Sequence, residues 1–216
     1  MGVLVGSDVK ELLSTLKEVE KRLIAVHDVR IGIVYLAWGV ALVGFMFLFS
    51  FTYLLLPDGA MRATALCYWI GVTLLVIYLI TEVEYSVRTF ISKFEQPNPK
   101  AHKVMTSVSI AGWCVAVAIG WFLIPMMLGE VFIQAGLLIF LAIGNFSIYL
   151  SIRLAYKTVY NSVAIASAVL VALSLPASAI SAVDPGASWM FASAAAALVY
   201  LSVAFYHFRS SIKILY

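Results

Sequence analysis

The sequence predicts an all-α polytopic membrane protein: six transmembrane helices in three hairpins, both termini cytoplasmic, with a short cytoplasmic helical hairpin. Three observations predict it. The chain is 63% hydrophobic and 12% charged, whereas soluble domains carry about 45–50% apolar and roughly 25% charged residues. Six windows, 31–57, 63–81, 104–129, 131–152, 158–183 and 185–208, lack Asp, Glu, Lys and Arg, and a helix needs about 20 apolar residues to cross the hydrocarbon core. Finally, 13 of the 14 Lys and Arg residues map to one side of this layout. Continuously apolar runs do not suit a β-barrel, whose strands alternate over about 10 residues.

The basic residues set the expected orientation. Lys10, Lys17, Lys21, Arg22 and Arg30 precede span 1; Arg88, Lys93, Lys100 and Lys103 separate spans 2 and 3; Arg153 and Lys157 follow span 4; Arg209 and Lys213 follow span 6. Arg62 alone is opposite. Cytoplasmic loops carry the excess of Lys and Arg, so both ends are expected in the cytoplasm of a multi-pass cell-membrane protein. The net charge of +3 then reads as topology, and no nucleic-acid partner is expected. The first apolar span is too long for a signal-peptide core and lies behind charged sequence, so no cleaved signal is expected.

The opening helix, 1–30, leads into span 1 (about 31–56). Val9, Leu12, Leu16, Val19, Leu23 and Val26 recur at spacings of 3 and 4, a heptad seam with charges on the other faces. Its expected partner is a cytoplasmic extension of span 2 (about 61–81) over residues 81–95, where Val83, Val87 and Phe90 recur at helical spacing. The contact set is therefore Val9, Leu12, Leu16, Val19 and Leu23 against Val83, Val87 and Phe90.

Spans 3 to 6 are expected at about 104–128, 131–152, 159–183 and 187–208, with a tail at 209–216. "LLPDGAMR", "LGE" and "VDPGAS" are short outer turns rich in turn residues, which pair the spans 1–2, 3–4 and 5–6. Span 1, "AWGVALVGFMFL", and span 3, "GWCVAVAIGWFL", are faintly alike. Pro125 and Pro176 lie toward the outer ends of spans 3 and 5, where each removes a helical hydrogen bond. Ala164, Ala168 and Ala172, Ala192 and Ala196, and Ser193 and Ala197 are spaced by four, a pattern that allows close helix approach in lipid. Cys67 and Cys114 fall within spans and are read as buried free thiols.

Chemistry is sparse. No span holds a carboxylate or a basic side chain at mid-depth, which disfavours an ion-coupled pump. No nucleophile elbow, zinc motif or phosphate loop occurs. The chain is therefore expected to be non-enzymatic, with no catalytic residue, no bound metal and no cofactor. His27, His102 and His207 are read as ordinary residues of the cytoplasmic interface. Asn145 is the most polar side chain within a span, followed by Ser147 and Tyr149 in "AIGNFSIYLSIR". These three are the candidate substrate path of a channel, facilitator or pore component for a neutral or passively moving solute. Gln134, nearer the outer end, is read as facing water. Expected partners are the lipid bilayer and either further copies of the chain or other subunits of a membrane complex. The alternative is a structural or docking subunit that binds a cytosolic partner through the 7–30 and 81–95 helices.

Overall fold

Apolar runs without internal charges fold as long helices, because each backbone group in hydrocarbon must bond within its own segment. The computed structural model describes residues 4–55, 60, 63–64, 67–68, 70–72, 74–76, 78–79, 82, 99–129, 132–156 and 160–215; the side chains of residues 4–8, 49–55, 102 and 156 are outside this set. Helix α1 runs Leu4–Leu55, continuous through Gly32. Helix α2, Pro99–Val117, opens on a proline, whose missing N–H costs nothing in a first turn. It continues through a π-helical stretch, Ala118–Leu123, into the short α3, Ile124–Leu128. The wider π turn lies immediately before Pro125, whose ring cannot join an ordinary helical ladder. Helices α4, Ile133–Tyr156, α5, Asn161–Ser181, and α6, Pro185–Leu215, complete the described set.

The turns behave as their residues dictate. Gly129 has φ +101° and donates its N–H to the Pro125 carbonyl at 2.9 Å, a left-handed backbone suited to glycine. Asp184 caps α6: its carboxylate accepts the Ala187 N–H at 3.0 Å and Pro185 occupies the first helical position.

The count of spans is corrected from six to five: among the described residues, five helices are long and apolar enough to cross a membrane, the second of them formed by α2, the π stretch and α3 together. Span 2 at 61–81 was read from composition, from the shortest of the uncharged windows. An uncharged window shows only that a crossing is permitted; crossing needs an unbroken helical ladder about 20 residues long. Every described residue of 61–81 is helical, and the count of five is made over the described residues alone. Of the three expected hairpins, those of spans 3–4 and 5–6 are present, and the one that needs span 2 falls with the count. In the bundle α2–α3 packs with α4, α4 with α5, α5 with α6, and α1 along α6. The expected contacts Val83, Val87 and Phe90 lie outside the described residues.

Neighbouring helices are antiparallel. Asp28 meets His207 and Tyr35 meets Tyr200 across α1–α6, Gln134 meets Ser181 across α4–α5, and Gly120 meets Gly136 across the π stretch and α4. The core is a line of small and branched side chains between α1, α4, α5 and α6: Leu42, Leu138, Leu170, Ala192, Ala196 and Tyr200. Ala192, Ser193, Ala196 and Ala197 are all buried, so this small-residue stripe is the packed centre of the bundle. The other stripe points outward, with Ala168 and Ala172 exposed. Backbones approach closely where Gly120 faces Gly136: a Cβ on either would collide with the other's carbonyl oxygen. The outer surface carries Val40, Ile110, Phe122, Met126, Leu175 and Phe205, as a helix bundle solvated by lipid does. Cys67 and Cys114 are exposed, which corrects their reading as buried: in lipid an apolar thiol has no need of a protein interior.

Candidate functional site

Buried polar groups in a bundle must bond to one another, and they assemble here into three stations. At one end, His207 of α6 and Asp28 of α1 are buried, and His207 Nδ1 lies 2.9 Å from Asp28 Oδ1. The Ser162 Oγ lies 2.9 Å from His207 Nε2. A carboxylate only accepts. Nδ1 therefore carries the proton and donates to Asp28, and in the neutral ring Nε2 accepts from the Ser162 hydroxyl. Tyr160 and Tyr206 flank the imidazole, with ring centroids at 5.7 and 5.4 Å. Burial pushes the Tyr160 phenol above its ordinary value of 10.0; the Asp28 charge adds to the rise and Arg30 opposes it.

The second station is at mid-depth. Asn145, 1% exposed, accepts the Tyr35 hydroxyl at 2.6 Å through Oδ1. Its amide donates to the Tyr200 hydroxyl and to the Leu141 carbonyl, each at 2.8 Å. One side chain thus ties α1, α4 and α6. The third station is at the other end. Ser181 donates to Gln134 Oε1 at 3.0 Å, Gln134 donates to the Pro185 carbonyl at 3.2 Å, and Ser188 donates to the Ala177 carbonyl at 2.8 Å. Gln134 is therefore buried, which corrects its reading as water-facing: Ser181 and the turn before α6 close over it.

Between the stations lie more hydroxyls. Ser167 and Ser174 of α5 are buried and donate within their own helix. The Ser193 hydroxyl of α6 is buried with no hydrogen-bond partner among the described residues. At 1.5 Å per residue, His207 to Ser188 spans about 28 Å of α6, and Tyr200 and Ser193 divide it into steps of about 10, 10 and 8 Å. The span matches the roughly 30 Å hydrocarbon core.

The three candidate path residues part company. Asn145 belongs to the central station. Ser147 is buried beneath Gly112 of α2 and donates to the Gly144 carbonyl at 2.7 Å. The half-buried Tyr149 accepts from Arg153 at 3.2 Å. An apolar groove of about 490 Å³, lined by Leu36, Leu198, Leu201, Phe205 and Phe208 among others, lies along α1 and α6 and includes none of the three. His207 is 1% exposed: α1 covers it, so it is packed inside the bundle end. His27 is half-buried, and the His102 side chain is outside the described residues. Among the described residues no cluster of three His, Cys, Asp or Glu side chains could hold a metal.

Sequence reasoning missed the pairing of Asp28 with His207, which are 179 positions apart. A signal was available: Ser193, Tyr200 and His207 are spaced by seven, which places one polar stripe on the buried face of α6. Comparison with known proteins finds no family model, no curated protein and no solved structure that matches the chain.

Proposed function

We propose that the protein is a narrow membrane passage and that the solute it passes is the proton. The observation that supports this reading is the column of buried polar groups running from Asp28–His207, past Tyr35–Asn145–Tyr200, to Gln134–Ser181–Ser188. Hydroxyl and imidazole groups both donate and accept, so each station can hand on a proton within itself, and single waters would have to carry it across the steps of about 10, 10 and 8 Å between stations. The packed Ala192, Ala196 and Leu170 between them leave little room for an ion with its hydration shell. Ser193, without a partner among the described residues and about three-quarters of the way along by helical rise, can do both. An ionisable pair buried at one mouth is where a proton would enter or leave. The excess of Lys and Arg on the Asp28 side supports placing that mouth in the cytoplasm.

The test is proton flux into liposomes under a potassium diffusion potential, read with an entrapped pH dye. The intact protein should acidify or alkalinise the lumen in the direction of the potential. Asn145→Leu and Asp28→Asn should each lower the rate at least tenfold. Flux indistinguishable from empty liposomes, or unchanged in both variants, would remove the reading.

A second reading, a docking subunit, is favoured by α1. Some 24 residues of α1 precede Asp28, about 36 Å of helix, while α6 ends at Leu215. On this extension Val9, Leu12 and Leu16 are 50–62% exposed, a heptad seam suited to a helical partner. Leu12→Lys with Leu16→Lys should abolish capture of such a partner and leave proton flux intact.

A further inference from the structure

The end station has a second chemical possibility, independent of any passage. Ser162, His207 and Asp28 form an unbroken chain: Oγ to Nε2 at 2.9 Å, and Nδ1 to Oδ1 at 2.9 Å. Three helices supply it, α5, α6 and α1 respectively. The order of atoms is that of a nucleophile, a general base and the carboxylate that orients it. Burial follows the same order. His207 and Asp28 are buried, and the Asp28 carboxylate against Nδ1 favours the tautomer with its proton there, while Ser162 is part-exposed at the first turn of α5. Position adds a further element. Ser162 is the second residue of α5, where the Val163 and Ala164 N–H groups bond the Tyr160 carbonyl at 3.0 and 3.5 Å. They would have to leave that carbonyl to stabilise an oxyanion that develops at the adjacent carbon.

We propose that Ser162, His207 and Asp28 form an acyl-transfer site, and that its substrate class is an uncharged carboxylic ester with an apolar acyl chain, presented at the membrane interface. The location selects the substrate: the end of a lipid-solvated bundle meets molecules whose polar ester is at headgroup depth and whose chain lies in hydrocarbon. In the first half-reaction the Ser162 oxygen bonds to the ester carbonyl carbon as its proton passes to His207 Nε2. The tetrahedral intermediate collapses with cleavage of the carbon–oxygen bond to the alcohol, which leaves with the proton from Nε2. In the second half-reaction water attacks the acyl-serine and gives a proton to Nε2. The Ser162–acyl bond breaks, Ser162 recovers that proton, and the carboxylic acid is released. Asp28 touches neither substrate nor reacting atoms; it is the positioning residue that keeps Nδ1 protonated.

The experiment is labelling of the detergent-solubilised full chain with an alkyl fluorophosphonate, followed by intact mass and peptide mapping. No gradient exists in micelles, so the result does not depend on proton flux. One label per chain is expected, carried by Ser162. Ser162→Ala should abolish it. His207→Gln should slow it at least 100-fold, the scale of general-base assistance, and Asp28→Asn should slow it with a shifted pH profile. Hydrolysis of p-nitrophenyl butyrate should show a burst equal to the protein concentration. Absence of labelling in folded wild-type protein, or a label mapped to another residue, overturns the proposal without requiring any variant to fold.

Discussion

Replacing Asn145 with leucine should destabilise the bundle by about 2–4 kcal/mol, and the structure shows where the cost arises. The side chains are similar in size, so the cavity is small and the effect is polar. Two interhelical hydrogen bonds are lost, to Tyr35 and Tyr200. At about 0.6 kcal/mol each in membranes, they set a floor near 1.2 kcal/mol. The two tyrosine hydroxyls remain behind, buried, and a buried unpartnered group costs about 1–3 kcal/mol. The ceiling is therefore about 6 kcal/mol. The rings are 5.1 Å apart, close enough for the hydroxyls to reorient toward each other, which draws the expectation toward the lower half. The third bond, to the Leu141 carbonyl, matters less because that group also serves the α4 ladder. The assay is reversible unfolding in mixed micelles, with Tyr35→Phe and Tyr200→Phe combined in one background. Removing all three polar groups should recover most of the loss, to within about 1 kcal/mol of wild type, since no orphan remains. A single-variant loss below about 0.5 kcal/mol, or a triple variant no more stable than Asn145→Leu, would refute the reasoning.

The contact between the π stretch and α4 should be intolerant of one methyl group. A Cβ at Gly136 would collide with the Gly120 carbonyl oxygen, whereas no described residue lies within 4 Å of one at Gly71. Gly136→Ala should therefore cost 2 kcal/mol or more, an overpacking cost of about 1–3 kcal/mol, while Gly71→Ala is neutral or slightly stabilising; thermal unfolding of the two side by side decides it. The Tyr160 phenol offers a pH test. Its raised value means that the folded state holds that proton more tightly than the unfolded chain, whose ordinary value is 10.0. This contribution to stability is fully present below pH 10 and is lost as the pH rises from 10 through the folded value. Tyr160→Phe should flatten that alkaline loss. Asp28→Asn should lower the phenol's titration point in difference absorbance spectra against Tyr160→Phe, because one of the charges that raises it is gone.

Composition alone determined that this chain belongs in a membrane and is helical. With 63% hydrophobic residues and uncharged windows longer than any soluble core helix needs, no other solvent would hold it, and only a helix satisfies those backbones in hydrocarbon. The turns were equally legible, because Gly129 and Asp184–Pro185 are local chemistry. Asn145 stood out for a similar reason, as an amide in an otherwise apolar run. The number of spans was less legible, since an uncharged window reports only solubility in lipid, and among the described residues five helices are long and apolar enough to cross. Not legible was the role of Asp28, which reads as one more charge on an amphipathic helix, or of His207, which reads as a membrane-interface residue. What buries them is the antiparallel register of α1 against α6. That register is set by contacts spread along both helices: Gly32 beneath Phe208, Gly39 beneath Leu201, Tyr35 on Tyr200. Hydrophobicity is a sum over residues and survives in the sequence. The meeting of one carboxylate, one imidazole and one hydroxyl depends on how three helices rotate and slide against one another, and only their packing decides that.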